Sequence, residues 1–167
     1  MAKFKNFWTW QAKLPHWRAE DVTYYVQFNH RRPLTEPECQ LLMRTFLNLQ
    51  GKQFDIYLLC ILPNETEMLF CPQKQARIDF TKTLEKAKVK AGNAVIKRSG
   101  ERFPPFYGES YDRIIRDAAE YEEFWMNIIA KIEELNVCES ADEYDFLFLQ
   151  AVDPVLPGDT SPSENVE

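Results

Sequence analysis

From Val22 to Asn29 the chain alternates apolar and polar positions, with Val22, Tyr24, Val26 and Phe28 set against Thr23, Tyr25, Gln27 and Asn29. That period of two predicts a half-buried strand over about 22–29. After Arg32-Pro33, Thr35 followed by Glu38 makes a capping box, and the stretch to about Leu49 reads as a helix stopped by Gly51. Two further apolar runs, about 54–62 and 65–71, flank the Pro63-Asn64 turn and predict an antiparallel hairpin. The period then changes to that of a helix. Phe80, Leu84, Ala87, Ala91 and Val95 share one face, and Lys82, Lys86, Lys90 and Lys97 share the opposite one. Beyond Gly100 and Pro104-Pro105, Tyr111 to Ile115 reads as a short strand. Tyr121, Trp125, Ile128, Ile129 and Ile132 form the apolar side of a last helix over about 118–135.

Strand, helix, strand, strand, helix, strand, helix is the order of a ferredoxin-like unit, so the fold class expected is α+β, an antiparallel sheet with helices packed on it. The sequence divides into an N-terminal arm (1–21), one α+β domain (22–149) and a disordered acidic, proline-rich tail (150–167). At 167 residues and 45% hydrophobic content, one core is expected.

Charge is unevenly spread. The net charge is −6, yet residues 1–33 carry six Lys/Arg against two acids and 74–102 carry nine against three, while 104–167 carry three against sixteen. A basic first half and an acidic second half imply one positive side, the footprint that a phosphate backbone uses. The apolar run Tyr57–Leu62 is far too short to span a membrane, and MAKFKNFWTW has no signal-like apolar core. A cytoplasmic protein with no membrane association is expected. Cys39, Cys60, Cys71 and Cys138 form no CxxC pair and read as small buried hydrophobes of a reducing compartment.

The stretch CILPNETEMLFCP (60–72) carries the one constellation with chemistry in it. Glu65 and Glu67, one residue apart on a strand, point to the same face. Together with LPHW (14–17), VTYYVQF (22–28), RRPL (31–34) and FYGESYDRIIRD (106–117), this hairpin resembles the single-tyrosine HUH transposases, and most of all the REP-associated tyrosine transposases, over roughly residues 14–145. Such proteins bind a divalent metal through two histidines flanking one apolar residue, with a third ligand on the last helix. A tyrosine on that helix attacks a DNA phosphodiester, helped by the metal's withdrawal of charge.

The resemblance implies a departure at each catalytic position. The histidine positions fall on Glu65 and Glu67, the nucleophile position on Asn127, and the third-ligand position on Lys131. The only histidines, His16 and His30, cannot form the motif. Tyr121 lies about 120° around the helix from Asn127, on the apolar stripe, and is a core residue on that pattern. No catalytic or metal-binding residue is therefore expected. Glu65, Glu67, Asn127 and Lys131 form a remnant in which the Lys131 ammonium replaces the metal as counter-charge. Two other readings stay open: solvated acids on an open face, or direct binding of Mg²⁺ or Mn²⁺ by the two glutamates.

The function this points to is a catalytically inactive, transposase-like protein that binds single-stranded or hairpin DNA, in a possible homodimer. Arg31, Arg32, Lys82, Lys86, Lys90, Lys97 and Arg98 would hold phosphates. The N-terminal cations Lys3 and Lys5 would join them. Phe7, Trp8, Trp10 and Trp17 would either stack on bases or pack on the core. The alternatives are an active metal-dependent nuclease using Glu65 and Glu67, and a protein-interaction module working through the acidic half.

Overall fold

The structure is a computed structural model and describes residues 5–11, 15–73 and 80–159. Strands β1 (Lys5–Gln11) and β2 (Pro15–Glu20) pair antiparallel as a separate two-stranded sheet. The main sheet contains β3 (Tyr24–Asn29), β4 (Phe54–Ile61), β5 (Glu65–Pro72), β6 (Tyr111–Ile114) and β7 (Leu147–Leu149), in the order β6-β3-β5-β4-β7 and antiparallel throughout. Without β7 this is the ferredoxin-like order, and the fold class is as expected. Helices α1 (Glu36–Leu47), α2 (Phe80–Ser99) and α3 (Ala118–Leu135) complete the domain.

Strand pleating divides the interior into two cores. On one face Tyr24, Val26, Phe28, Met68 and Phe70 pack with Leu42 and Phe46 of α1 and Leu84, Ala87 and Ala91 of α2. On the other, Tyr25, Leu69 and Cys71 pack under Ile128 and Ile132 of α3. A bulge between Ile56 and Leu58 of β4 sends Tyr57 and Leu58 to the same core, which resets the alternation so that Leu59 and Ile61 return to the first. The sheet is thus buried on both faces, and β4 and β5 are apolar almost throughout for that reason.

The joint between β6 and α3 sets where α3 crosses the sheet. In DRIIRD, Ile114 enters the first core and Ile115 the second. Asp117 caps α3, its carboxylate accepting the Glu120 N–H at 2.8 Å. Arg113 and Arg116 both pair with the buried Glu120, whose carboxyl is pushed up by burial but held lower overall by the Arg116 backbone N–H and then by these cations. The DRIIRD stretch is therefore a structural corner.

Two expectations about the termini differ from the structure. The segment 1–21, expected as an arm, contains the β1–β2 sheet, and β2 lies against β6. Residues 150–159, expected within a disordered tail, follow the second core: the Val155 carbonyl accepts both the Thr23 N–H at 2.9 Å and the Thr23 hydroxyl at 2.8 Å, and Val155 and Leu156 pack beside the α3 residues. Two apolar side chains and one carbonyl outweigh the composition there; residues 160–167 lie outside the described residues. Among the described residues no helix is long and apolar enough to cross a membrane.

Candidate functional site

The β4–β5 turn fixes the position of the acid pair. Leu62 donates its N–H to the Glu65 carbonyl at 2.8 Å, and β5 pairs with β3 so that Asn29 faces Glu65 and Gln27 faces Glu67. Both glutamates then project toward α3. His30 sits on the other side of this turn, its Nδ1 2.8 Å from the Pro63 carbonyl and its Nε2 2.9 Å from the Thr66 hydroxyl. Burial holds its basicity below the ordinary value, so it works as a neutral staple for the turn.

The ammonium of Lys131 meets both acids, at 2.7 Å from Glu65 Oε1 and 2.9 Å from Glu67 Oε1. The second oxygen of Glu65 accepts from Gln27 Nε2 at 2.6 Å. Glu67 Oε1 also accepts from the Tyr25 hydroxyl. Glu67 is buried, 2% exposed, and its Oε2 has no hydrogen-bond partner among the described residues. The open-face reading of solvated acids does not fit this geometry. Burial lowers the basicity of Lys131, but its bonds to Glu65 and Glu67 outweigh that and raise it overall, as expected for a cation that two carboxylates share. Two carboxylates against one ammonium leave the cluster with one negative charge in excess.

The two acids of the alternative metal reading share the Lys131 ammonium, and among the described residues no group of three His, Cys, Asp or Glu side chains is placed to hold a metal ion. Asn127, one turn before Lys131, is exposed on α3. Tyr121 packs edge-on against Tyr57, its hydroxyl buried without a partner among the described residues and its acidity suppressed by burial. Tyr25 reaches the cluster, but its phenol is buried and donates to Glu67; burial, then the Glu67 charge, push its pKa far above the ordinary value.

The residues expected to bind DNA are not all alike. Lys82, Lys86, Lys90, Lys97 and Arg98 are exposed on α2, across the sheet from the acid cluster. Arg32 is engaged elsewhere, bidentate with Glu38 at 2.7 and 2.8 Å and bonded to Glu101 at 2.8 Å, so it ties the start of α1 to the end of the α2 region. Arg31 lies over the Tyr107 ring at 4.4 Å and is exposed. Lys3 and the side chains of Lys5, Phe7, Trp8, Trp10 and Trp17 lie outside the described residues.

Lys88 was not anticipated. It is 4% exposed, with its ammonium 4.3 Å from the centre of the Phe28 ring and bonded to the Gly108 carbonyl (2.9 Å), the Glu109 carbonyl (3.3 Å) and the Ser110 hydroxyl (3.0 Å). Burial lowers its pKa to about 8. The signal was in the sequence: Lys88 lies four residues after Leu84 and three before Ala91, in the middle of the apolar face rather than on the lysine row.

Comparison with known proteins bears on the architecture. No family model matches the chain, and no curated protein matches it. A solved structure of a REP-associated tyrosine transposase bound to a REP hairpin superposes with a TM-score of 0.66, covering 82% of each chain at 13% identity. The fold is transposase-like. At that identity the likeness speaks for the transposase-like architecture alone: a ferredoxin-like sheet with α3 laid across the hairpin that carries Glu65 and Glu67.

Proposed function

We propose that this chain binds structured or single-stranded DNA through its α2 side and does not cut it. One observation carries the reading: the Lys131 ammonium joins Glu65 and Glu67, the positions to which the sequence resemblance assigns metal ligands. A metal centre would offer a phosphodiester an excess of positive charge, whereas this cluster has an excess of negative charge and repels it. Among the described residues no activated nucleophile stands beside it either. Asn127 carries a neutral amide, and the Tyr25 phenol is buried and committed to Glu67.

Positive charge lies on the opposite side of the sheet. The α2 row of Lys82, Lys86, Lys90, Lys97 and Arg98 faces outward there, and a hairpin-bound transposase shares the fold. Long-range attraction thus favours a phosphate backbone on α2 and disfavours it at α3, whose outer surface carries Glu122, Glu123, Glu133 and Glu134. Assembly as a homodimer, implied by the same resemblance, belongs to the proposal, and sedimentation of the full chain tests it.

The experiment is to incubate the protein with a labelled DNA hairpin, with Mn²⁺ or with chelator, and to follow retardation and cleavage together. Binding that chelator leaves unchanged, that salt weakens and that yields no nicked product is expected. Mn²⁺-dependent nicking would overturn the non-cleaving part, and absence of binding at low salt would overturn the DNA part in favour of a protein-interaction role.

A further inference from the structure

We infer that copies of this chain associate by laying α2 of one against α3 of the next. The inference goes beyond the DNA-binding reading and does not need it. The two helices pack on opposite faces of the sheet, and each turns an outer side to solvent. Those outer sides carry opposite charge. On α2, Lys86, Lys90, Lys97 and Arg98 are exposed beside a single acid, Glu85. On α3 the exposed charges are Glu122, Glu123, Glu133 and Glu134, and the one base of the helix, Lys131, is held by Glu65 and Glu67.

Each charged face also presents an apolar side chain. Val89 on α2 is 59% exposed and Met126 on α3 is 57% exposed. The spacing of charge around them matches: Lys86 and Lys97 stand eleven residues apart, and so do Glu123 and Glu134. At a rise of about 1.5 Å per residue each pair spans about 16 Å. With the helices parallel and Lys86 set at Glu123, Val89 falls at Met126, Asn93 at Ala130 and Lys97 at Glu134. The antiparallel alignment keeps the charge pairs but sets Val89 at Lys131, so the apolar contact selects the parallel one. Opposite charges at both ends of an apolar contact fix its register.

Three consequences follow from the geometry. The contact joins unlike faces, so each copy keeps one α2 and one α3 free and the association repeats, unlike a two-fold dimer. One helix pair buries less than about 1,200 Å², so the association is weak and grows with concentration. The net charge of −6 is spread over the whole surface, whereas the opposed charges meet at contact distance; salt therefore loosens the contact. A phosphate backbone on α2 and a neighbour's α3 exclude each other.

The test mixes two full-length variants, Val89→Cys and Met126→Cys, at low salt under mild oxidation and follows disulfide-linked dimer on non-reducing gels. Both positions are exposed, the natural cysteines are buried or half-buried, and the parent protein sets the background. Cross-linking in the mixture several-fold above either variant alone is expected, falling about tenfold at high salt. Equal cross-linking in each variant alone would overturn the α2–α3 contact in favour of a two-fold or unspecific one. A mixture no different from the parent protein would overturn it in favour of a basic partner of another kind on α3. As a second readout, the average mass of the parent protein in sedimentation should rise with concentration, and Glu123→Gln with Glu134→Gln should weaken that rise about tenfold. A parent protein that stays monomeric at every concentration would overturn the inference. Retardation of hairpin DNA is read separately, so loss of the contact leaves the DNA-binding reading standing.

Discussion

Lys131 and Lys88 carry positive charge into opposite sides of one sheet, and the protein treats them in opposite ways. Lys131 finds two carboxylates and a water-facing flank, and its pKa rises. Lys88 finds two backbone carbonyls, a hydroxyl and an aromatic face, with no carboxylate among its hydrogen-bond partners, and burial lowers its pKa to about 8. The first arrangement holds one cation between a pair of acids. The second uses a charge as a clamp on a loop, at the cost of its desolvation. The same side chain thus closes one site and shapes another, and the partners within hydrogen-bond reach decide which.

Removing Lys131 makes the largest break in this comparison. Lys131→Met leaves the buried Glu67 beside Glu65 without a cation, and a loss of about 2 kcal/mol in urea unfolding at pH 7 is expected, below the figure for a fully buried pair because the ammonium is partly open to water. Adding Glu67→Gln should restore more than half of it. Unfolding equal to the parent protein would mean that the ammonium is not the counter-charge. Because its folded pKa is raised, the Lys131 contribution is fully present below the ordinary value of 10.5 and is lost only as pH climbs through the raised one.

Lys88 runs the other way. Its folded pKa of about 8 lies below the ordinary 10.5, so between those values the unfolded chain binds more protons and stability rises with pH. A rise on the order of 2 kcal/mol is expected across that window. Lys88→Met should flatten it, as denaturant midpoints collected from pH 7 to 10.5 would show. A parent profile with no rise there would mean that Lys88 keeps its proton as readily as a surface lysine.

Two smaller effects sharpen the contrast. Tyr25→Phe removes one donor from Glu67 while Lys131 keeps its own bonds, so a loss of about 1 kcal/mol is expected by chemical denaturation. A loss as large as that of Lys131→Met would shift the weight of the cluster from ammonium to phenol. Replacing Lys86, Lys90 and Lys97 together with Gln should change stability by less than about 0.5 kcal/mol, since all three are exposed. It should nevertheless lower the slope of log affinity for hairpin DNA against log salt by about 2. An unchanged slope would take the phosphate path away from α2.

Much of the molecule could be read from residue spacing. The alternation through Val26 and Phe28, the Thr35–Glu38 box and the two-faced pattern of α2 follow from local chemistry, and each element lies within a few residues of where its pattern places it. In the structure Glu38 does accept the Thr35 N–H at 2.9 Å, although the same carboxylate also serves Arg32. The meeting of Lys131 with Glu65 and Glu67 was legible too, because the resemblance supplied the missing distance between a strand and a helix 64 residues apart. β7 was not legible: three residues carry no period, and they become a strand only because the edge of β4 is there to pair with them. Lys88 was hidden for another reason. In a lysine-rich helix it reads as one more exposed cation until a wheel is drawn and its neighbours are found to be Leu84 and Ala91.

By itself the sequence determined the order of elements and the placement of Glu65 and Glu67 on one face of a strand, since periodicity and residue type are local properties of the chain, whereas the burial of the central sheet on both faces came only with packing. Only the tertiary structure decided that Arg32 would be spent on Glu38 and Glu101, that Val155 would return to cap Thr23, and that Lys88 would fasten the 108–110 loop to α2. Those outcomes depend on which polar groups lie within about 3 Å after packing, a distance that residue type and spacing along the chain do not fix.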